Sequence, residues 1–378
     1  MANTLTGLID YIYQSADVVS REMVGMIPSV YINGVAEQTA VNQEITYDVV
    51  PTMTAEDTVP GATPPELSDQ AVGTGTMQLT KSKTVRFYWS GEDEAGLGTK
   101  RTAIENNKFA QAFRTLTNQI EADLAALYMH ASRAYGTPGT TPFGVAGDFT
   151  DAAQAVRILK DNGAPTSDIQ LVINTAAGTN IIGKQARADI IGASVATLQQ
   201  QGVLLDIAGA KIRESAQIRN VAKGTGAAYQ INNAAGYAAG AIDLALDTGS
   251  GTVNAGDVVT FNGDLNKYVV GAALSGGSLA LNAPGLVQAL ADDAVMAIGN
   301  SYAANMCFDR SAIHLLARLP KVPEGGDQAD DEMIMIDPVS GLPFRVALYR
   351  GYMANQFAIQ MAWGVKAVKP AHISLLLG

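Results

Sequence analysis

The stretch IENNKFAQAFRTLTNQIEADLAALYMHASRAYG, residues 104–136, decides how this chain is read. Its apolar positions Phe109, Phe113, Leu116, Ile120, Leu124 and Leu127 recur at spacings of 4, 3, 4, 4 and 3. That period lays them along one stripe of an α-helix. Over residues 104–135 the helix spans roughly 48 Å at ~1.5 Å per residue, and Gly136 and Pro138 stop it. No second heptad helix accompanies it, so it reads as a strut lying across a sheet, not as half of a coiled coil.

What precedes the strut is extended. Residues 5–23 place Leu5, Leu8, Ile9, Ile12, Val19 and Met23 on one side of an amphipathic helix, and residues 30–32 and 45–50 are short strands. Then PTMTAEDTVPGATPPELSDQAVGTGT, residues 51–76, excludes a helix through Pro60, Pro64 and Pro65. It is followed by MQLTKSKTVRFYWSGED, residues 77–93, where Val85, Phe87 and Trp89 alternate with Arg86 and Tyr88. This alternation is that of a returning strand, and the pair predicts a hairpin loop projecting from the body. Charge is segregated here. No Lys or Arg lies between Glu22 and Thr80, while Glu37, Glu44, Asp48, Glu56, Asp57, Glu66 and Asp69 do. Lys81, Lys83 and Arg86 follow, then Lys100 and Arg101. Either these charges neutralise one another within a subunit, or they meet between subunits and set register. On the second reading Lys81, Lys83 and Arg86 are candidate intersubunit contacts.

After the strut the pattern alternates between helix and strand. Residues 151–161 are a helix ended by Asn162-Gly163, 169–174 a buried strand, 180–201 a helix, and 203–215 strand material. NAGDVVTFNGDLNKYVVGAALSGGSLALNA, residues 254–283, differs from its surroundings. Its Asn-Gly, its Gly-Gly and its short apolar runs predict a β-meander with strands 258–261, 267–274 and 278–281. Its expected small core is Val258, Phe261, Val269 and Leu279. Residues 302–320 resume as strands, 323–332 are an acidic loop, and strands follow at 344–349, 356–365 and 373–376.

Composition bounds the function. The chain has 378 residues, 47% apolar and only 16% charged, against roughly 25% charged in an average soluble domain. A surface that poor in charge is expected to be covered in part by copies of itself. The net charge of −11 argues against binding DNA by neutralising phosphates, but not against a container around nucleic acid. Cys307 stands alone, so no disulfide forms within the chain. The N-terminus lacks a basic leader, and no run of about 18 apolar residues predicts a membrane span.

The residues that carry chemistry are scattered. His130, His314 and His372 show no metal-ligand spacing, Cys307 has no local partner, and the glycine-rich GTGTM and GSGTVNAGD do not match a phosphate loop. Glu324, Asp327, Asp330, Asp331 and Glu332 lack the spacing of a calcium loop and read as a solvated acidic loop. No catalytic, cofactor or metal residue is assigned, and the chain is not expected to be an enzyme.

Three stretches carry a resemblance: NAGDVVTFNG with KYVV and SLALNAPG, NMCFDRSAIHLLARLP, and IQMAWGVKAVKPAHISLLLG. With the order of elements, they resemble the major capsid proteins of tailed bacteriophages of the Hong Kong phage ninety-seven (HK97-like) type. The closest likeness is to the coat proteins of the short-tailed Salmonella phage P-twenty-two group. The resemblance implies an α+β capsid fold with a small inserted β-rich domain. Its parts would be an N-arm (1–50), an E-loop (51–98), a peripheral domain with the spine helix (99–150), an axial domain (151–221, continued at 300–343), the insert (222–299) and C-terminal strands (344–378). The insert is shorter than in that group's type member. In the resembled family such inserts aid folding and contact neighbours.

The function implied is a structural coat protein that self-assembles, through hexamers and pentamers, into an icosahedral virion shell. That shell would enclose double-stranded DNA without sequence-specific binding and without covalent crosslinks. The implied partners are further copies of itself, a scaffolding protein, a portal protein and a decoration protein, with assembly in the host bacterial cytoplasm. Two other readings remain open: an encapsulin-like cellular compartment shell of the same fold, and a soluble α/β enzyme with an unrecognised site.

Overall fold

The apolar stripe buries as its period demands. In a computed structural model of the chain, Phe109, Phe113, Leu116, Ile120 and Leu124 are fully buried and Leu127 nearly so. The described residues are Asp10 and residues 12–16, 25–49, 73–97, 101–145, 149–185, 206–338 and 340–378. The Pro-rich excursion 51–72, most of the helix read over 5–23, and residues 186–205 lie outside them.

In chain order, the described elements begin with α1 (Met26–Ser29), β1 (Tyr31–Thr39), β2 (Glu44–Val49), β3 (Gly73–Gln78), β4 (Lys81–Ser90), α2 (Gly91–Leu97) and α3 (Arg101–Ala125). A 3-10 turn at Ala126–His130 precedes β5 (Arg133–Tyr135), α4 (Thr150–Asp161), β6 (Ile169–Ile173), α5 (Thr175–Gln185) and β7 (Ala210–Glu214). Then come β8 (Asn220–Val221), β9 (Gln230–Ile231), β10 (Asp243–Asp247), β11 (Val258–Phe261), β12 (Lys267–Ser275), β13 (Ser278–Leu281) and β14 (Met296–Ile298). The chain closes with β15 (Tyr302–Asp309), β16 (Ile313–Pro320), β17 (Asp331–Ile336), β18 (Pro343–Gly351), β19 (Ala354–Ala367) and β20 (Ile373–Leu377).

The strut is shorter than its sequence suggests. The α-helix ends at Ala125 and tightens into the 3-10 turn, and Arg133–Tyr135 becomes a strand. That strand pairs in parallel with β20 and antiparallel with β12. Helix propensity is a weak local preference, and a slot between two strands overrides it. The chain then turns at Gly136, whose positive φ of 102° and 2.9 Å approach of an added Cβ to the Leu377 carbonyl suit only glycine.

The described strands form two large sheets and a small one, in a mixed α+β architecture. In the first large sheet β19 takes β4 along residues 354–363, β18 along 354–360 and β16 along 362–367; β1 extends β16 and β17 extends β18. The second runs β7-β6-β15-β20-β5-β12-β13-β10-β9, with β8 on β15 and β11 and β14 on the meander side. The strands β2 and β3 pair only with each other. Helix α3 lies against the first sheet. Phe109 meets Phe87 and Phe357 at ring-centroid distances of 5.0 and 5.3 Å, and Phe113 meets Phe344 at 5.0 Å.

The meander strands fall where the sequence places them, but their core is divided. Val258 and Val269 join the main core with the α3 stripe, whereas Phe261 and Leu279 pack with Ile231, Leu244, Tyr268 and Val270 in a separate cluster. Pairing of β12 with β5 makes the meander a continuation of the large sheet. Adjacent residues on a strand point to opposite faces, so Val269 and Val270 serve different cores. Two further readings are corrected. The helix expected to begin at 180 begins at Thr175, and part of the acidic loop is strand β17.

Candidate assembly surface

The candidate contacts Lys81, Lys83 and Arg86 all lie on β4, which is bonded to β19 over its whole length, from Lys81 opposite Trp363 to Ser90 opposite Ala354. Val85, Phe87 and Trp89 turn inward, and Thr84, Arg86 and Tyr88 outward. Tyr88 is 66% exposed, a large aromatic left in water. Lys108 of α3 sits 3.7 Å over the Trp89 ring.

The three basic residues do not share one environment. The Lys81 ammonium lies 2.6 Å from Asp123 Oδ1 on α3, and Asp123 Oδ2 accepts the Trp363 indole N–H at 2.8 Å. Lys81 is therefore paired within its own subunit. Lys83 and Arg86 are exposed, on opposite faces of the strand. The neighbouring hairpin β2–β3 is fastened to the body by Met77 and Leu79 against Leu316 and Ala362, and by the Lys366 ammonium donating to the Thr76 carbonyl at 2.5 Å.

At the other side of this sheet lies the acidic segment, and it is not simply solvated. The nearly buried Arg345 guanidinium donates to Glu332 at 2.7 and 3.0 Å, to Asp327 at 3.0 Å and to Gln360 at 2.8 Å. Tyr349 donates to Asp327 at 2.6 Å, and Arg350 pairs with Asp330 at 2.8 Å. Burial raises the Asp327 pKa, but the bonds from Tyr349, the Ala329 N–H and Arg345 outweigh it and hold the carboxyl below its usual range. Beside these groups Ile334 and Ile336 are 47% and 52% exposed. Among the described residues no group of three or more His, Cys, Asp or Glu side chains is placed to hold a metal ion.

Cys307 is fully buried in β15, and desolvation pushes its thiol up to about 12, so no nucleophilic thiolate forms near neutral pH. Burial is the main cause that depresses the pKa of His130, His314 and His372. His314 lies between the rings of Tyr31 and Tyr47, at 4.8 and 5.9 Å. Among the described residues, no helix is long and apolar enough to cross a membrane.

Sequence reasoning missed Glu121. This nearly buried carboxylate accepts the N–H groups of Met26 and Ile27 at 3.1 and 3.0 Å and the Ser215 hydroxyl at 2.9 Å. It joins α1 and β7 to α3. Its one sequence signal is an acid directly after Ile120 of the stripe.

No family model and no curated protein matches the chain. Solved structures align with it over most of its length. A cyanophage P-SCSP1u capsid structure aligns over 92% of this chain and 86% of its own at 11% identity and a TM-score of 0.45. The bacteriophage PhiM1 mature capsid aligns over 92% and 85% at 12% identity and 0.43. A virus-like particle from Pyrococcus furiosus aligns over 97% and 98% at 9% identity and 0.44. At such identities and scores these are likenesses of chain path, and no residue's role is carried over from them.

Proposed function

We propose that the chain is a structural coat protein whose copies close into an icosahedral shell, the major capsid protein of a tailed bacteriophage, nearest to the P-twenty-two group. The observation that carries this reading is β4. It is a ten-residue strand paired with β19 over its whole length, and it presents Arg86 and Tyr88 outward with Lys83 exposed beside them. The resemblance seen in the sequence supports it, because its three stretches form β11–β13 of the second sheet and the pairs β15–β16 and β19–β20, which pass from one sheet to the other. On this reading the shell encloses packaged double-stranded DNA in the virion. Scaffolding, portal and decoration proteins are its partners, assembly takes place in the host cytoplasm, and residues 222–299 act as the family's β-rich insert.

The test is assembly itself. Expressed with and without a scaffolding protein, the chain should give regular closed particles in negative stain. Exchanging both Lys83 and Arg86 for Glu should leave circular dichroism and melting unchanged and abolish those particles. Salt should weaken wild-type assembly moderately, since exposed ion pairs are screened. A chain that stays monomeric under every condition would overturn the reading, and a double variant that assembles at wild-type yield would overturn the contact role of Lys83 and Arg86.

A further inference from the structure

The first sheet has two unlike edges. In the strip β4-β19-β18-β17 every neighbouring pair is antiparallel, so β4 and β17 run in opposite directions. Among the described residues neither carries a strand on its second side. A row of partners crosses the strip: Arg86 pairs with Ala358, Ala358 with Ala347, and Ala347 with Glu332. A parallel row joins Thr84, Gln360, Arg345 and Ile334. Each row ends on a residue of β4 at one edge and of β17 at the other, on the same face of the sheet.

The edges are complementary in charge and in apolar surface. β4 holds Lys81, Lys83 and Arg86 and no acid. The segment leading into β17 and the start of that strand hold Glu324, Asp327, Asp330, Asp331 and Glu332, which outnumber the two guanidiniums of Arg345 and Arg350 that meet them. Tyr88 stands exposed on the basic edge, and Ile334 and Ile336 on the acidic one. A groove of about 510 Å³ opens beside the acidic edge, lined by Gln38, Val322, Asp330 and Glu332 among others. An open strand edge offers unpaired N–H and C=O groups as a template for a partner strand, and like charges along it turn away a partner that lacks the opposite charge.

We infer that β4 of one copy adds to β17 of the next copy, continuing the six-stranded sheet head to tail between subunits. This rests on the shell reading above and names the surface that its basic strand meets. Because β4 and β17 run in opposite directions within one copy, the next copy's β4 laid along β17 at about 4.8 Å, with the rotation that keeps the two bodies apart, pairs with it antiparallel. Without any slip, Arg86 of the next copy then faces Glu332 and its Thr84 faces Ile334. Because the two edges differ, the contact is heterologous, and a small rotation at each step closes such contacts into a ring. The Lys81–Asp123 pair and the Arg345 contacts stay intact, since both form within one copy.

The test is a pair of exposed cysteines, Thr84→Cys with Ile334→Cys. Within one copy these positions lie three strand spacings apart, about 14 Å, too far for a disulfide, and Cys307 is buried. Particles are first verified by electron microscopy and then oxidised. The expected result is a ladder of covalent oligomers from the double variant in particles, and none from either single variant or from dissociated subunits. Particles in which the pair crosslinks no better than Thr84→Cys with Val287→Cys would overturn the inference while leaving the shell reading standing. Absence of particles from the wild-type chain would sink both. Amide exchange on wild-type protein needs no variant: residues 331–336 should exchange at least about tenfold more slowly in particles than in free subunits. Equal rates in the two states would likewise overturn the inference.

Discussion

Asp123 accepts the Trp363 indole N–H at 2.8 Å through Oδ2, and its Oδ1 meets the Lys81 ammonium at 2.6 Å. One carboxylate thus ties α3, β19 and β4 together. The two bonds differ in weight. Trp363 is fully buried, whereas the Lys81 side chain is 44% exposed. Exchanging Asp123 for Ala leaves a buried N–H without an acceptor and should cost about 1–3 kcal/mol. Lys81→Ala removes only a screened pair and should cost about 0–1 kcal/mol. Urea denaturation of both variants checks the order, and equal losses would contradict it.

Leu124 sits fully buried in the stripe of α3. Leu124→Asp buries a carboxylate in an apolar cluster that offers it no partner there, at a cost of several kcal/mol. The variant should accumulate as insoluble protein. Recovery of soluble subunits with wild-type circular dichroism would show that the main core does not depend on this face of the helix.

The stripe, the alternation in β4 and the turns of the meander were legible because each is a local pattern of one short period. Asn262-Gly263 and Gly276-Gly277 bound their strands by turn chemistry alone. Strand β5 was not legible, because Arg133–Tyr135 continues a helix-forming run and becomes a strand only when β20 and β12 offer their edges. Strand β17 was hidden for another reason. In DEMIMI both faces are apolar, so no period of two stands out. The Lys81–Asp123 pair spans 42 residues and the parallel β1–β16 pairing sets Tyr31 beside His314. Neither leaves a trace in local sequence. The candidate contacts were therefore found as a group of charges, and only the packing of α3 on β4 separates Lys81 from Lys83 and Arg86.

All three histidines are held below their ordinary value of 6.5, chiefly by burial. A folded-state pKa below the unfolded one means that, between the two, the unfolded chain binds protons that the folded chain does not. Stability therefore rises with pH across that window and is complete above 6.5. The midpoint of thermal unfolding should fall as pH is lowered from about 7.5 to about 5.5. Asp327, held low, keeps its contribution throughout this range. Glu214, raised by burial, gains protons on folding and opposes the trend from the acidic side. His314→Gln should flatten the slope, and an unchanged slope would place the titration elsewhere.

The divided core of the meander makes a sharper prediction about residues 222–299 as an isolated fragment. Its own cluster, with Ile231, Leu244, Phe261, Tyr268 and Leu279, lies wholly inside the fragment. Asp264 adds an internal brace, accepting the Tyr268 hydroxyl at 2.5 Å and the Asn266 N–H at 2.8 Å. The fragment should fold, though marginally, since so small a core leaves little surplus over chain entropy. Excision removes β5 and bares Val258 and Val269, which belong to the main core. Replacing both by Thr should therefore raise the solubility of the fragment while keeping its dispersed amide spectrum. In the full chain the same pair of changes puts two hydroxyls into the main core and should cost about 1–3 kcal/mol each. A random-coil spectrum from the fragment would show that the meander folds only against β5. An unchanged melting temperature of the doubly substituted full chain would show that Val258 and Val269 do not contribute to the core around α3.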